Sequence, residues 1–254
     1  MIILKYKVIG QGEKKVFFLH ELMGDSTNYQ ASTFYLDKED FTYYFVDLRG
    51  YGLSKHILGN YNLQEALNDI INLATFLNIS TYTLVAHSMS TMIAQNIALK
   101  DTRVNKLILI SPISFYGVPS TQKAKKNLLS QIAQDSGKIE KIVENSSLRY
   151  TKEWKHYRIK LAYSCSLLEA RVGYMNMYLN ENFEQNLVSQ LNITIPVKVI
   201  TGKYDFKTFS RNEVKKYFES FKDIEIIECQ EAGHYTMIEC PVFFASKLQH
   251  WFNS

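Results

Sequence analysis

Three residues of this chain are of the types that together run nucleophilic acyl chemistry, and they occur in the order Ser88, Asp205, His234. A serine hydroxyl is a poor nucleophile at neutral pH. It needs a base to take its proton, and an imidazole serves only when a third group fixes its tautomer and orientation. The stretch around Ser88 carries the first signal. Tyr82-Thr83-Leu84-Val85-Ala86 is an apolar run that buries as a strand; beyond His87-Ser88 the spacing becomes that of a helix, with Met89, Met92, Ile93 and Ile97 repeating at three and four. A serine on such a turn stands at the carboxyl edge of a sheet, and the helix after it aims N–H groups at whatever the hydroxyl attacks. The turn needs small residues two before and two after, and here they are Ala86 and Ser90. Taken alone, the same pentapeptide also describes a serine that caps a helix.

The partners are placed by the elements before them. Asp205 follows a predicted strand in Thr201-Gly202-Lys203-Tyr204-Asp205, and His234 follows the last one in Glu231-Ala232-Gly233-His234-Tyr235. Catalytic groups of open parallel sheets gather at the carboxyl ends of the strands, where all three residues can converge. Singly, an Asp after a strand also serves as a turn or cap residue, and a Gly-His pair as a loop. The ordered set of all three at three strand ends is what points to a shared site.

The rest of the pattern supplies the frame. Ile2 to Ile9 and Val16 to Leu19 read as strands joined by a turn at Gly10-Gln11-Gly12, Phe41 to Val46 as the next strand, and Asn62 to Leu77 as a helix with one apolar face. Val104 to Ile110 is a strand that ends at Ser111-Pro112. From Ile113 to Ile195 no clear strand occurs, and helical stretches dominate: Gln122 to Ala133, Ile139 to Val143, Trp154 to Leu168 and Phe183 to Leu191. Alternation returns with strand Val197 to Thr201, helix Ser210 to Phe221, strand Ile224 to Cys229 and helix Val242 to Phe252. This order predicts an α/β domain with a mostly parallel central sheet and helices on both faces. The expected layout is a core of residues 1–112 and 196–254 with a helical cap inserted at 113–195.

Composition narrows the class. At 254 residues, with 46% hydrophobic and 21% charged, the chain is long enough for a large core and shows no sign of disorder. Cys165, Cys229 and Cys240 form an odd set without a C-x-x-C, so no disulfide framework, zinc site or other metal centre is expected. The N-terminus has no apolar run with a small-residue cleavage site, and no 18-residue apolar stretch occurs, so the expectation is a cytoplasmic protein without a membrane span. Basic residues are scattered among acids, which argues against nucleic-acid binding.

Two further segments bring a resemblance into view. Leu19-His20-Glu21-Leu22-Met23-Gly24-Asp25-Ser26 resembles the oxyanion loop of the α/β-hydrolase superfamily, and Asp47-Leu48-Arg49-Gly50-Tyr51-Gly52-Leu53-Ser54 is similar to its D-x-R-G-x-G-x-S segment. With Ala86 to Ser90, Gly202 to Asp205 and Gly233-His234, five landmarks stand in family order over essentially the whole length. The resemblance implies the α/β-hydrolase fold, Ser88 as nucleophile, His234 as general base and then acid, Asp205 as the orienting carboxylate, and the backbone N–H groups of Leu22 and Met89 as the oxyanion hole. It implies no cofactor. In the family the Asp47–Arg49 segment is a structural turn, and His20 and His87 are read here as braces of the loop and the elbow. Two departures stand out: Ala86 and Ser90 replace the elbow's outer glycines, and Glu21 replaces the glycine of the family's His-Gly pair. A carboxylate aimed into an oxyanion hole would oppose the charge developing there. Glu21 therefore points away, or it is an accessory residue that handles protons in other chemistry.

The insertion is rich in Met and aromatic residues (Phe115, Tyr116, Tyr150, Trp154, Tyr157, Tyr163, Tyr174, Met175, Met177, Tyr178), which suits an apolar acyl group and suits core packing equally. Residues 112 to 195 hold 11 Lys and Arg against 7 Asp and Glu, so the whole net charge of +4 falls there. Lys123, Lys125 and Lys126 are its densest basic group. That bias suits an anionic or carrier-bound small-molecule acyl substrate, or only solubility. The sequence thus points to an esterase or thioesterase acting through an acyl-enzyme. A C–C hydrolase, lyase or cofactor-free cyclase on the same scaffold, and a non-catalytic binding protein of this fold, are its rivals. It does not fix the oligomeric state.

Overall fold

The computed structural model describes residues 2–114, 117–118, 120–134, 137–146, 150–181, 194–219 and 221–254. Seven strands make one sheet: β1 (Tyr6–Gly10), β2 (Lys14–Leu19), β3 (Phe41–Val46), β4 (Tyr82–His87), β5 (Val104–Ile110), β6 (Val197–Gly202) and β7 (Ile224–Cys229). Their spatial order is β1-β3-β2-β4-β5-β6-β7, with β1 antiparallel to β3 and every other pair parallel. β4 is buried along its whole length and β5 at every residue but Asn105, as a sheet covered on both faces requires.

The two-residue period of the strands sorts the core into halves. Phe17, Leu19, Leu84, Ala86, Leu107, Leu109, Val197 and Val199 pack on one face, with Leu67, Ile70 and Leu73 of α1 (Leu63–Phe76) and Met92 and Ile93 of α2 (Met89–Lys100). Val16, Phe18, Val85, Ile108, Ile110 and Ile200 pack on the other, with Tyr29 of the 3-10 helix Ser26–Tyr35 and with Phe244, Leu248 and Trp251. Those last three belong to a C-terminal helix that begins at Pro241, a residue with no N–H to leave unpaired in a first turn.

Between β5 and β6 the described elements are all helical: α3 (Gln122–Ala133), α4 (Lys138–Ser146), α5 (Lys152–Ser164) and α6 (Leu168–Asn180). After them come α7 (Arg211–Tyr217), α8 (Thr236–Glu239) and α9 (Pro241–Phe252). Three expectations change. β1 starts at Tyr6 rather than Ile2; it joins β2 through the expected short turn, and β3 lies between the two in the sheet. The helix predicted over Trp154 to Leu168 ends at Ser164, since the next residues bond to another loop: Gly52 N–H donates to Cys165 O at 2.7 Å, Leu167 N–H donates to Gly50 O at 2.9 Å, and Tyr51 and Ser166 form a β-bridge. Helix α6 was not foreseen, because it buries Ala170, Arg171, Tyr174, Met175, Met177 and Leu179 around its circumference and so leaves no one-sided stripe. Phe115, Tyr116 and the predicted helix Phe183 to Leu191 lie outside the described residues.

Candidate active site

β4 hands the chain to α2 at Ser88, whose φ of 52° and ψ of −118° lie where a side chain is strained. Its hydroxyl makes no capping bond to the helix, which removes the helix-cap reading. Instead Oγ lies 3.0 Å from His234 Nε2. His234 Nδ1 is 2.9 and 3.0 Å from the two carboxylate oxygens of Asp205. Because a carboxylate only accepts, Nδ1 carries the ring proton, and Nε2 is left as the acceptor facing the serine hydroxyl.

Asp205 is itself held. Phe206 N–H donates to Oδ1 at 2.7 Å and the Ser111 hydroxyl to Oδ2 at 2.6 Å. Ser111 sits at the end of β5 with φ of 45°, the strained turn that carries its hydroxyl to the next strand end. Burial disfavours charge on His234. The Asp205 carboxylate, through charge and hydrogen bond, outweighs it with help from Glu21 and Glu239, and the imidazole pKa stands above its ordinary 6.5. His87 packs beneath it, ring centroids 4.9 Å apart, and donates from Nε2 to the His234 carbonyl at 2.8 Å. Burial and the neighbouring His234 hold its pKa well below 6.5, so it is a neutral brace.

The loop after β2 is pinned peptide by peptide. His20 Nδ1 donates to Glu21 O at 2.7 Å while its Nε2 accepts Leu48 N–H at 3.0 Å. In a trans peptide the carbonyl and the next N–H point opposite ways, so holding Glu21 C=O fixes where Leu22 N–H points. The Tyr51 hydroxyl holds Leu22 O at 2.8 Å, and the Ser90 hydroxyl donates to His20 O. Met89 opens α2, where an N–H has no carbonyl four residues earlier to bond. Ser88, Leu22 and Met89 line one cavity.

The Glu21 carboxylate does not project as a lone charge. It accepts Met23 N–H, Asn28 Nδ2–H at 3.1 Å and Arg158 at 3.1 Å. Asp47 and Arg49 are likewise engaged: Asp47 accepts Ser26 N–H at 2.7 Å and Leu53 N–H at 2.8 Å, and Arg49 forks onto Asp69 at 2.9 and 2.5 Å. A Cβ on Gly52 would stand 2.4 Å from the Asp47 carboxylate, so the glycine is what lets the turn close over it.

The cavity on Ser88 has a volume of about 360 Å³. Its wall is largely apolar, with Met175 and Tyr178 from α6 and Phe206 and Phe209 beside His234. Lys138 of α4 is the lysine among its lining residues; Lys123, Lys125 and Lys126 are not among them. A larger depression of about 580 Å³, around Asn60, Asn68 and Asn72, is open to solvent and shares no lining residue with the first. Of the two, the cavity on Ser88 is the one that also reaches His234. No helix among the described residues is long and apolar enough to cross a membrane.

Sequence reasoning missed Ser111 and Arg158. Ser111 had a signal, as a serine closing the strand next to that of Ser88. Arg158 had a fainter one: it falls four residues after Trp154 and four before Ala162, an apolar line down one helix face.

The sequence pattern of the family described as "Serine aminopeptidase, S33" matches residues 10–241. No curated protein matches the chain in sequence. Among solved structures, an esterase from Exiguobacterium antarcticum is similar at 20% identity and a TM-score of 0.86, over 99% of this chain and 96% of that one. A thermophilic esterase from Thermogutta terrifontis is similar at 21% identity and 0.83, over 98% and 93%. A bromoperoxidase from Bacillus anthracis is similar at 16% identity and 0.85, over 98% and 95%. At these identities, with differently described proteins among them, the likeness is one of fold.

Proposed function

This chain belongs to the serine aminopeptidase S33 family of α/β-hydrolases, and from that premise we propose that it hydrolyses a carboxylic ester or thioester through an acyl-Ser88 intermediate. The observation that carries the reading is the continuous hydrogen-bonded line from Ser88 Oγ through both nitrogens of His234 to Asp205. His234 Nε2 takes the hydroxyl proton as Oγ bonds to the acyl carbon, and the carbonyl oxygen becomes an oxyanion beside the N–H groups of Leu22 and Met89. Collapse breaks the bond to the leaving alkoxide or thiolate, which receives the proton from His234. Water then gives a proton to His234 as its oxygen bonds to the acyl carbon; collapse breaks the bond from that carbon to Ser88 Oγ, which takes the proton back from His234 as the carboxylic acid leaves.

The largely apolar wall suits an acyl group of modest size. Glu21, committed to Met23, Asn28 and Arg158, is poorly placed to move protons, which favours acyl transfer over lyase or C–C chemistry. Cytoplasmic residence belongs to the same reading and rests on the unpatterned cysteines.

The test is hydrolysis of p-nitrophenyl esters across pH. An imidazolium cannot accept the serine proton, so kcat/KM rises with pH through the His234 pKa, and the rise is expected to centre above 6.5. Asp205→Asn removes the largest cause of the elevation and moves the limb to lower pH. A limb at or below 6.5 that ignores Asp205→Asn contradicts the assignment.

An anionic substrate is the narrower form of the proposal, and its support is Lys138 on the cavity wall rather than the denser Lys123 group. Of the basic residues in the insertion, Arg158 and Arg171 are buried and steer nothing. For an acyl group bearing a carboxylate, kcat/KM is expected to fall with added salt and on Lys138→Gln, roughly tenfold at most, while a neutral ester of equal length is unaffected. Equal responses return the neutral ester to the front.

A further inference from the structure

The loop that presents Leu22 N–H is tied to the helical insertion by one buried ion pair. Arg158 of α5 is 1% exposed and donates to Glu21 at 3.1 Å and to Asn28 Oδ1 at 2.6 Å. Its guanidinium lies 4.3 Å over the ring of Tyr235, the residue after His234. So a single side chain from the insertion touches the residue before Leu22 and the residue after the base.

Burying two charges is expensive unless each is fully hydrogen-bonded, and only the loss of both charges together would avoid the cost, since removing one leaves the other buried and unpaired. What the pair adds is geometry. Glu21 reaches over its own turn to hold Met23 N–H, while Tyr51 holds the carbonyl of that same peptide. The peptide before it is fixed by His20. The Leu22 N–H belongs to the first of two consecutive immobilised peptide units, and the second, joined to it at the Leu22 Cα, is held by a carboxylate whose position Arg158 and Asn28 determine.

Resting on the hydrolase reading above, we propose that Arg158 and Glu21 are positioning residues through which the helical insertion sets the Leu22 oxyanion donor. The pair also matters electrostatically, since Glu21 carries its charge on the cavity wall and Arg158 offsets it. The oxyanion forms only in the transition state, so losing the alignment lowers kcat and leaves KM nearly unchanged. Loss of one such donor typically costs about a hundredfold to a thousandfold; for a donor displaced rather than removed, roughly a tenfold to hundredfold loss is expected.

The charged and titratable groups facing His234 are Asp205 from the loop after β6, Glu21 and Arg158 from the paired loop and α5, His87 from β4, Glu239 from α8 and Tyr235 beside it. Those facing the pair are His234, His87, Tyr235, Tyr29, Tyr51 and Cys165. Glu21 raises the His234 pKa. Arg158→Met, which unmasks that carboxylate, is therefore expected to move the acid limb of kcat/KM to higher pH. Glu21→Gln moves it to lower pH.

The experiment compares Arg158→Met, Arg158→Lys, Glu21→Gln and the double variant Glu21→Gln/Arg158→Met by kcat, KM and pH profile with p-nitrophenyl butyrate. Melting temperature and fluorophosphonate labelling of Ser88 are read alongside. Arg158→Met leaves a buried carboxylate unpaired and loses stability; the double variant is neutral at both positions and keeps the question open to measurement. Expected are a kcat loss of roughly tenfold or more at near-constant KM in the double variant, partial recovery in Arg158→Lys, and opposite limb shifts in the two single charge removals. A folded double variant with wild-type kcat, or a loss confined to KM, overturns the proposal. A wild-type protein that neither takes the probe nor cleaves the ester overturns instead the hydrolase reading on which it rests.

Discussion

Ser88→Ala is expected to lower ester turnover on the order of 10⁴-fold to 10⁶-fold while the protein remains folded. Only one oxygen is removed. The hydroxyl makes no capping bond to α2, and among the described residues its Oγ hydrogen-bonds to His234. The melting temperature should stay near that of the wild type, since alanine inherits the strained backbone without relieving it. Retained turnover in the purified variant would mean a mechanism without a serine nucleophile.

Asp205→Asn carries the second largest expected effect, a kcat loss of about 10⁴-fold with substrate binding kept. The substitution is nearly isosteric, so its effect is chemical. Both carboxylate oxygens face His234 Nδ1, and both also accept other donors, Phe206 N–H and the Ser111 hydroxyl. An amide offers one acceptor and one donor to these three donors. If its N–H₂ turns to the histidine, the ring proton is driven to Nε2, where it blocks the base; if it turns to Ser111, the hydroxyl loses its acceptor. Neither arrangement stabilises the imidazolium. Steady-state kinetics on a panel of esters separate this from a binding defect, and unchanged kcat would require another acid behind His234.

The frame and the three central side chains were legible because each is announced locally. A buried strand that turns into a helix at a lone serine marks the elbow, and an Asp and a His just past strand ends mark the other two. Strand order was legible only in outline: β3 enters between β1 and β2 by a crossover, and no local pattern in Gly10-Gln11-Gly12 separates that from a hairpin. Helix α6 was hidden because it is buried on most sides, and the end of α5 because it is set by bonds to Gly50 and Gly52, over a hundred residues earlier in the chain. Glu21 was visible as an oddity, yet its partner Arg158 lies on a different element, and a single arginine in a helix reads as a solvent residue until its neighbours are known. The +4 of the insertion overstated the charge available to a substrate for the same reason, since part of it is buried.

The most direct test of the account is the mass of the protein quenched in acid during turnover of a p-nitrophenyl ester, followed by mapping of the modified peptide. The expected result is an increase equal to one acyl group, on the peptide containing Ser88, present in the wild type, accumulated in a variant that slows deacylation, and absent from Ser88→Ala. Steady turnover with no acylated protein under any quench, or an acyl group on another residue, would contradict it.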